Sequence, residues 1–188
     1  MATITTNNNT FKLPEIYHFP PLFTIQPVET TRIKQLDSWC HIITEYHKFH
    51  KKTILSINTF ELFNNNKIQR SLNTNDRIVI MEHIIKKGYG DWLNNNNNNN
   101  NNNKTQCMIF YKTINEWVKI ISDYARSYNL IGDVFTIYDL IQGDDASNEE
   151  FHGLDHRVFY RILAQMQKQN LCQVFDNSNI EEVGVKFL

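Results

Sequence analysis

The order of predicted helices and strands repeats within this chain of 188 residues, and the repetition constrains the fold more than any other feature. Apolar residues recur at helical spacing from Thr30 through Phe49, and a short helical segment, a further helix and two strands follow. The same order returns from Thr113 onward. A helix-turn-helix followed by a two-stranded wing is the winged-helix arrangement. We therefore predict an α+β fold with two tandem winged-helix domains, 29–112 and 113–188, in preference to one larger α+β domain.

In the first predicted domain, Lys67–Leu72 is expected to form a single helical turn. The next helix is expected to begin near Thr74–Asp76 and to end at Gly88, a glycine suited to a helix C-terminus. Asp91–Leu93 and Cys107–Tyr111 are predicted to pair as a hairpin. Ten consecutive asparagines, Asn94–Asn103, connect them. Such a tract cannot build a core, so we expect a floppy wing loop, with a prion-like role as the alternative.

The second predicted domain begins at the capping box formed by Thr113 and Glu116. Thr136 and Asp155 are predicted to cap two further helices. The remaining predicted elements are a helix from the capping box to about Asn129 and the strands Val134–Thr136, Cys172–Asp176 and Val183–Phe187.

The first 28 residues differ from the rest of the chain. Met1–Thr10 is polar and rich in asparagine, so we expect it to be disordered. Pro14–Phe23 is apolar and aromatic, and its prolines fix φ and remove backbone donors, which favours an extended segment over a helix. These side chains need burial, so residues 1–28 are predicted to dock on another protein. Two alternatives are packing on the segment's own first domain and binding to a WW domain, where Phe23 replaces the expected tyrosine.

Charge argues against nucleic-acid binding, which is the main rival function for a winged helix. The chain has 19 basic and 20 acidic residues, a net charge of −1. Residues 1–103 carry 11 basic and 8 acidic residues, and residues 104–188 carry 8 and 12. Neither part offers the basic surface that phosphate neutralisation requires. No nucleic-acid partner is therefore expected.

No motif indicates catalysis, a cofactor or a metal. The sequence has no glycine-rich phosphate loop and no zinc-hydrolase motif, and the acidic stretch Gly143–Glu150 lacks the ligand pattern of a calcium loop. Histidines such as His47 are expected at the surface or at its edge, and the three cysteines are expected to be reduced core thiols. No run of 18 apolar residues and no secretory signal is visible. We therefore expect a soluble cytoplasmic protein that is not an enzyme.

Several short stretches form a recognisable series that begins in the proline–aromatic segment and continues in order along the whole chain. They are Pro14–Pro27, Gln35–Cys40, Leu62–Asn65, Ile68–Arg70, Lys87–Leu93, Glu116–Trp117, Val134–Leu140, Glu150–Asp155 and Gly184–Phe187. This series resembles a known family, the small subunits of the endosomal sorting complex required for transport II (ESCRT-II). The asparagine run is an insertion in the first wing.

The resemblance implies two winged helices without catalysis, in a subunit of which two copies join vacuolar protein sorting-associated proteins 22 and 36. It implies that the N-terminal motifs dock into pockets of those partners. The matching positions are Pro14, Tyr17, Pro20, Pro21 and Phe23, although Glu15 and Phe23 depart from a strict Pro-Pro-x-Tyr.

The same resemblance implies a role for the second winged helix. It would recruit the first subunit of the next complex, ESCRT-III (protein 20 of the same series), for sorting of ubiquitinated cargo into multivesicular bodies. Contact with endosomal membranes would come only through partners, since the chain has no basic or amphipathic anchor of its own.

Overall fold

Both halves of the chain contain the predicted first helix, the later helix and the closing hairpin, and each has a strand directly after its first helix, which the sequence predicted only in the second half. The computed structural model describes residues 10–93 and 104–188. Residues 1–9 of the predicted disordered stretch Met1–Thr10, and the asparagine wing loop (residues 94–103), lie outside the described residues. The elements of the first half are α1 (Glu29–His50), β1 (Ile54–Ser56), β2 (Asn64–Asn65), β3 (Arg70–Ser71), α2 (Thr74–Lys86), β4 (Gly90–Trp92) and β5 (Gln106–Ile109). Those of the second half are α3 (Ile114–Ser127), β6 (Val134–Thr136), α4 (Ile137–Gln142), α5 (His156–Lys168), β7 (Cys172–Phe175) and β8 (Gly184–Phe187).

The two principal sheets share one topology. Their strand orders are β1-β5-β4 and β6-β8-β7, and all pairs are antiparallel. In each sheet, the strand that follows the first helix pairs with the last strand of the hairpin. This shared pairing is the winged-helix arrangement predicted from the element order.

The helix starts in the second half follow the sequence signals. The Thr113 hydroxyl accepts from the backbone N of Glu116 at 3.3 Å, while the Glu116 carboxylate accepts from the backbone N of Thr113 at 2.7 Å. Thr136 and Asp139 form a second reciprocal box, and Asp155 caps α5. In α1, by contrast, Thr30 and Thr31 do not act as caps, because the helix already begins at Glu29 and the Val28 carbonyl accepts from the Arg32 amide at 2.8 Å.

The predicted helical turn at Lys67–Leu72 is also wrong, because this stretch belongs to the β2–β3 hairpin. The Asn65 side-chain oxygen accepts from the backbone N of Lys67 at 3.1 Å, and Gln69 adopts a left-handed φ of 53°. Both features favour a turn over a helix. The helical element of this region lies earlier in the chain, as a 3₁₀ turn at Glu61–Phe63.

Two apolar clusters form the core. One is built around Trp39 and Phe63, and the other around Trp117, Phe151 and Phe159, and each of these rings is fully buried. Cys40, Cys107 and Cys172 are buried free thiols, as predicted. Burial raises their pKa values to about 11, 12 and 11 respectively, which keeps the thiols protonated and unreactive at neutral pH.

Candidate partner-binding surface

The proline–aromatic segment folds as two single 3₁₀ turns, Glu15–His18 and Pro20–Phe23, joined by extended backbone at Phe19. The sequence predicted an extended segment, and proline explains the difference. A φ near −65° also suits a 3₁₀ turn, and the first position of a turn needs no backbone donor. Pro20 occupies such a position. The segment is therefore short, ordered and two-sided.

The inward side of the segment packs on the first winged helix. Tyr17, Leu22 and Phe23 are 3–4% exposed. The Phe23 ring meets Trp39 edge to face, with centroids 5.4 Å apart, and Tyr17 packs against Phe23 at 5.5 Å. Edge-to-face pairs of this kind add to the free energy gained from apolar burial. Tyr17 and Phe23 are thus part of the core of their own domain.

Two side chains of α1 bind the backbone of the segment. The indole nitrogen of Trp39 donates to the Leu22 carbonyl at 2.9 Å. The amide nitrogen of Gln35 lies 2.8–3.0 Å from the carbonyl oxygens of Pro21, Leu22 and Thr24, and its oxygen accepts from the backbone N of Gln26 at 3.0 Å. Gln35 is only 6% exposed, and these hydrogen bonds to the turn satisfy its buried polar side chain.

The Tyr17 hydroxyl fixes the first turn. It lies 3.1 Å from the carbonyl oxygens of both Leu62 and Asn64 and can donate to either. The side-chain nitrogen of Asn65 donates to the Tyr17 carbonyl at 2.9 Å. Burial, and then the negative charge of Glu61, raise the pKa of Tyr17 to about 12, so the hydroxyl remains a donor at neutral pH.

The outward side of the segment is apolar and accessible. Ile16 is 42% exposed and Phe19 is 56% exposed, and Pro20 and Pro21 are also exposed. Ile16, Phe19 and Pro21 line a groove of about 350 Å³ whose opposite wall is α1, with Lys34 at its rim. We call Ile16, Phe19, Pro20 and Pro21 the outward face. Large apolar side chains grouped in this way are typical of a protein-binding surface.

The five residues predicted for docking divide between the two sides of the segment. Pro20 and Pro21 are exposed and Pro14 is half-buried, whereas Tyr17 and Phe23 are buried. Packing on the segment's own first domain, which the sequence left as an alternative, is the arrangement observed for those two rings. Sequence reasoning missed Ile16 and Phe19. It also missed the receptor residues Gln35 and Asn65, although a glutamine within the apolar stripe of α1 was a usable signal.

Three arginines on α2 and α5, the helices that would read DNA, bind groups within the protein. On α5, Arg161 pairs with Asp91 at 2.5 Å and Arg157 pairs with Asp155 at 3.0 Å. On α2, the Arg77 guanidinium donates to the carbonyls of Leu72 and Ile57 and lies over the Phe63 ring at 5.4 Å. A winged helix that reads DNA directs such side chains to bases and phosphates. The geometry therefore favours protein binding.

The predicted surface position of the histidines is wrong for His47, which is 1% exposed on the inner face of α1.

Within residues 10–93 and 104–188, no group of three or more potential metal ligands is found. In the same described part of the chain, no helix combines the length and apolarity needed to cross a bilayer.

The fold and this surface define a class of protein: a tandem winged-helix protein with a two-sided, proline-stiffened segment on its first domain. A family model for the ESCRT-II complex subunit matches residues 16–155. The chain therefore belongs to the ESCRT-II complex subunit family.

Relatives match along nearly their whole length. Vacuolar protein-sorting-associated protein 25 of Xenopus laevis is 36% identical, over 94% of this chain and 98% of its own. The protein of that name from Dictyostelium discoideum is also 36% identical, over 96% and 98%. The crystal structure of subunit VPS25 of the endosomal trafficking complex ESCRT-II superposes with a TM-score of 0.80 at 29% identity, over 94% and 98%. A chain of the ESCRT-II complex VPS22/VPS25/VPS36 gives 0.76 at 29% identity, over 93% and 98%.

Proposed function

We propose that this chain is a non-enzymatic assembly subunit of ESCRT-II that docks on VPS22 and VPS36 through its N-terminal segment. In this proposal residues 1–28 are the docking segment, 29–112 the first winged-helix domain and 113–188 the second. The proposal is supported by the similarity to chains of solved ESCRT-II complexes, one of them containing VPS22, VPS25 and VPS36. The observation that carries it is the outward face, where Phe19 and Ile16 remain exposed on a segment fixed by hydrogen bonds on its other side.

The docking residues have two roles in this proposal. Pro14, Pro20 and Pro21 stiffen the segment and, with Ile16 and Phe19, meet the partner. Tyr17 and Phe23 hold the segment on the first domain, so that the outward face is already arranged before the partner arrives. A prearranged surface loses less conformational entropy on binding than a flexible peptide does.

The second winged helix is proposed to recruit the first subunit of ESCRT-III, for sorting of ubiquitinated cargo into multivesicular bodies at the endosomal membrane. Three exposed apolar side chains support a protein-binding role for this domain. Ile131, Val134 and Leu188 are 48–60% exposed. All three lie at one end of the β6-β8-β7 sheet, where Ile131 bridges Phe187 and Val134 pairs with Lys186. In this proposal the chain reaches the endosome through its partners.

The test replaces the outward face with charge. In the double variant Ile16→Glu, Phe19→Glu, we expect affinity for a VPS22–VPS36 subcomplex to fall by about three orders of magnitude, since burying each side chain contributes about 2 kcal/mol. Thermal unfolding should change little, because both side chains are exposed in the isolated chain. Isothermal titration calorimetry and circular dichroism measure the two quantities.

A matched variant on the second domain, Ile131→Glu with Val134→Glu, is the control. It should retain full affinity for the core subunits and lose binding to the first ESCRT-III subunit. If the Ile16/Phe19 variant bound the core subcomplex as tightly as the unmodified chain, the docking proposal would be rejected.

A further inference from the structure

Strand β5 is buried on both of its faces. Cys107 and Ile109 point into the first core, and Met108 and Phe110 belong to the second core, with all four side chains no more than 4% exposed. Successive residues of a strand point to opposite sides of the sheet, so the two cores lie on opposite sides of β5.

The neighbouring strands follow the same alternation. In β1, Leu55 belongs to the first core, while the preceding residue, Ile54, packs against the second. After β4, Leu93 packs against the second core, whereas Trp92 belongs to the first. The register places Ile54 opposite Met108 and Leu55 opposite Cys107. The whole β1-β5-β4 sheet is therefore a layer between the two domains.

Polar contacts cross the same boundary. The indole nitrogen of Trp117, in α3, donates to the Phe110 carbonyl at 2.8 Å. Arg161, in α5, pairs with Asp91 of β4 at 2.5 Å. The pKa of Asp155 is lowered, although burial alone would raise it. Hydrogen bonds to Arg157 are the main cause of the lowering, and a hydrogen bond to Thr53 of the first domain contributes less. Helices of the second domain thus cover the outer face of the first domain's sheet.

We propose that the chain is a rigid strut in which the β1-β5-β4 sheet is shared by both cores, so that the outward face and the second domain keep one fixed relative orientation. Tandem domains normally move relative to each other unless their interface is large and apolar. Here the apolar side chains of a whole sheet face meet the second core. The isolated chain would keep this fixed orientation whichever partners it binds.

The test measures distances between spin labels by double electron–electron resonance on the full chain. One pair, Glu45→Cys with Ser127→Cys, joins exposed sites on α1 and α3; the reference pair, Glu45→Cys with Asn75→Cys, lies within the first domain. The native thiols are buried and protonated, so labelling is confined to the introduced cysteines. We expect both distance distributions to be equally narrow at low salt and at high salt, because apolar contacts are not screened.

The proposal would be overturned if the distance distribution of the pair between the domains were more than about twofold broader than that of the reference pair, or if it shifted with salt. Either result would reveal the independent motion expected of loosely connected domains. As a second arm, Phe110→Ala removes a ring from the second core and should broaden only the distribution between the domains. Circular dichroism confirms that this variant is folded before it is measured, and an unchanged distribution in the folded variant would remove the role assigned to the shared sheet.

Discussion

His47 is a buried, uncharged imidazole. Its Nδ1 lies 2.9 Å from the Lys52 carbonyl, and because a carbonyl only accepts, Nδ1 carries the proton. The ring stacks on Phe60, and its Nε2 has no hydrogen-bond partner within the described residues. Burial, the largest cause, lowers the pKa of His47 to about 4 from an ordinary value of 6.5. Folding therefore opposes protonation of this side chain.

The consequence is a loss of stability in mild acid. The unfolded chain binds a proton at His47 below pH 6.5 and the folded chain only near pH 4, so stability falls as pH decreases between these values. Over this whole pH range the free energy of unfolding falls by about 3 kcal/mol. His47→Asn can keep the hydrogen bond to Lys52, and we expect it to remove most of this dependence. Guanidinium unfolding at pH 7 and pH 5 measures it; equal slopes against pH for the two proteins would contradict the assignment.

Tyr17 gives a prediction of the opposite sign. Its pKa is raised to about 12, so its contribution to stability is complete below pH 10 and is lost as pH rises through 12. At pH 8, Tyr17→Phe should cost about 1 kcal/mol, because the Leu62 and Asn64 carbonyls lose their donor. Urea unfolding measures this cost. Above pH 10 the difference in unfolding free energy between the unmodified chain and Tyr17→Phe should shrink. Tyr46, whose pKa is also raised to about 12, titrates in both proteins, so its contribution cancels in this difference.

Residues whose partners are close in sequence were predictable. Thr113, Thr136 and Asp155 each bond within three residues, and their caps were predicted correctly. Tyr17 was not, because its partners lie 45 and 47 residues away along the chain. A sequence shows that an aromatic ring needs burial, but it does not show which surface provides it.

At the scale of elements, the α3 capping box offers a direct test of local stabilisation. Thr113→Ala leaves the Glu116 amide of α3 without its acceptor, and we expect a loss of about 1 kcal/mol. Thr30→Ala is the matched control, since Thr30 lies inside α1 and does not cap it. Thermal or urea unfolding compares the two. Equal losses would show that the box in the structure contributes nothing beyond helix propensity.

Elements with strong periodicity were located to within a few residues, and short ones were not. Helices α2 and α3 lie within about two residues of their predicted bounds. The β2–β3 hairpin has only two residues in each strand, so no alternation could reveal it. Its Asn65 side chain binds the Tyr17 backbone, so the hairpin depends on a contact with the N-terminal segment that no local pattern encodes.

At the scale of the whole molecule, the sequence predicted two winged helices but not their shared layer. The apolar run Cys107–Phe110 was interpreted as an ordinary hairpin strand, although four consecutive apolar residues are typical of a strand buried on both faces. The arrangement of the domains depends on which elements cover that second face. Such pairing is a property of the folded surfaces, and the periodicity of each domain alone does not determine it.

The two-sided segment has a consequence for the cellular abundance of this protein. A substitution at Phe23 or Leu22 removes buried contacts, so the altered chain would unfold more often and be degraded as a misfolded monomer. Under the proposed docking role, a substitution at Phe19 would leave the fold intact and yield a folded but unassembled subunit. Neighbouring positions in one short stretch would therefore produce opposite inherited defects, one of quantity and one of assembly.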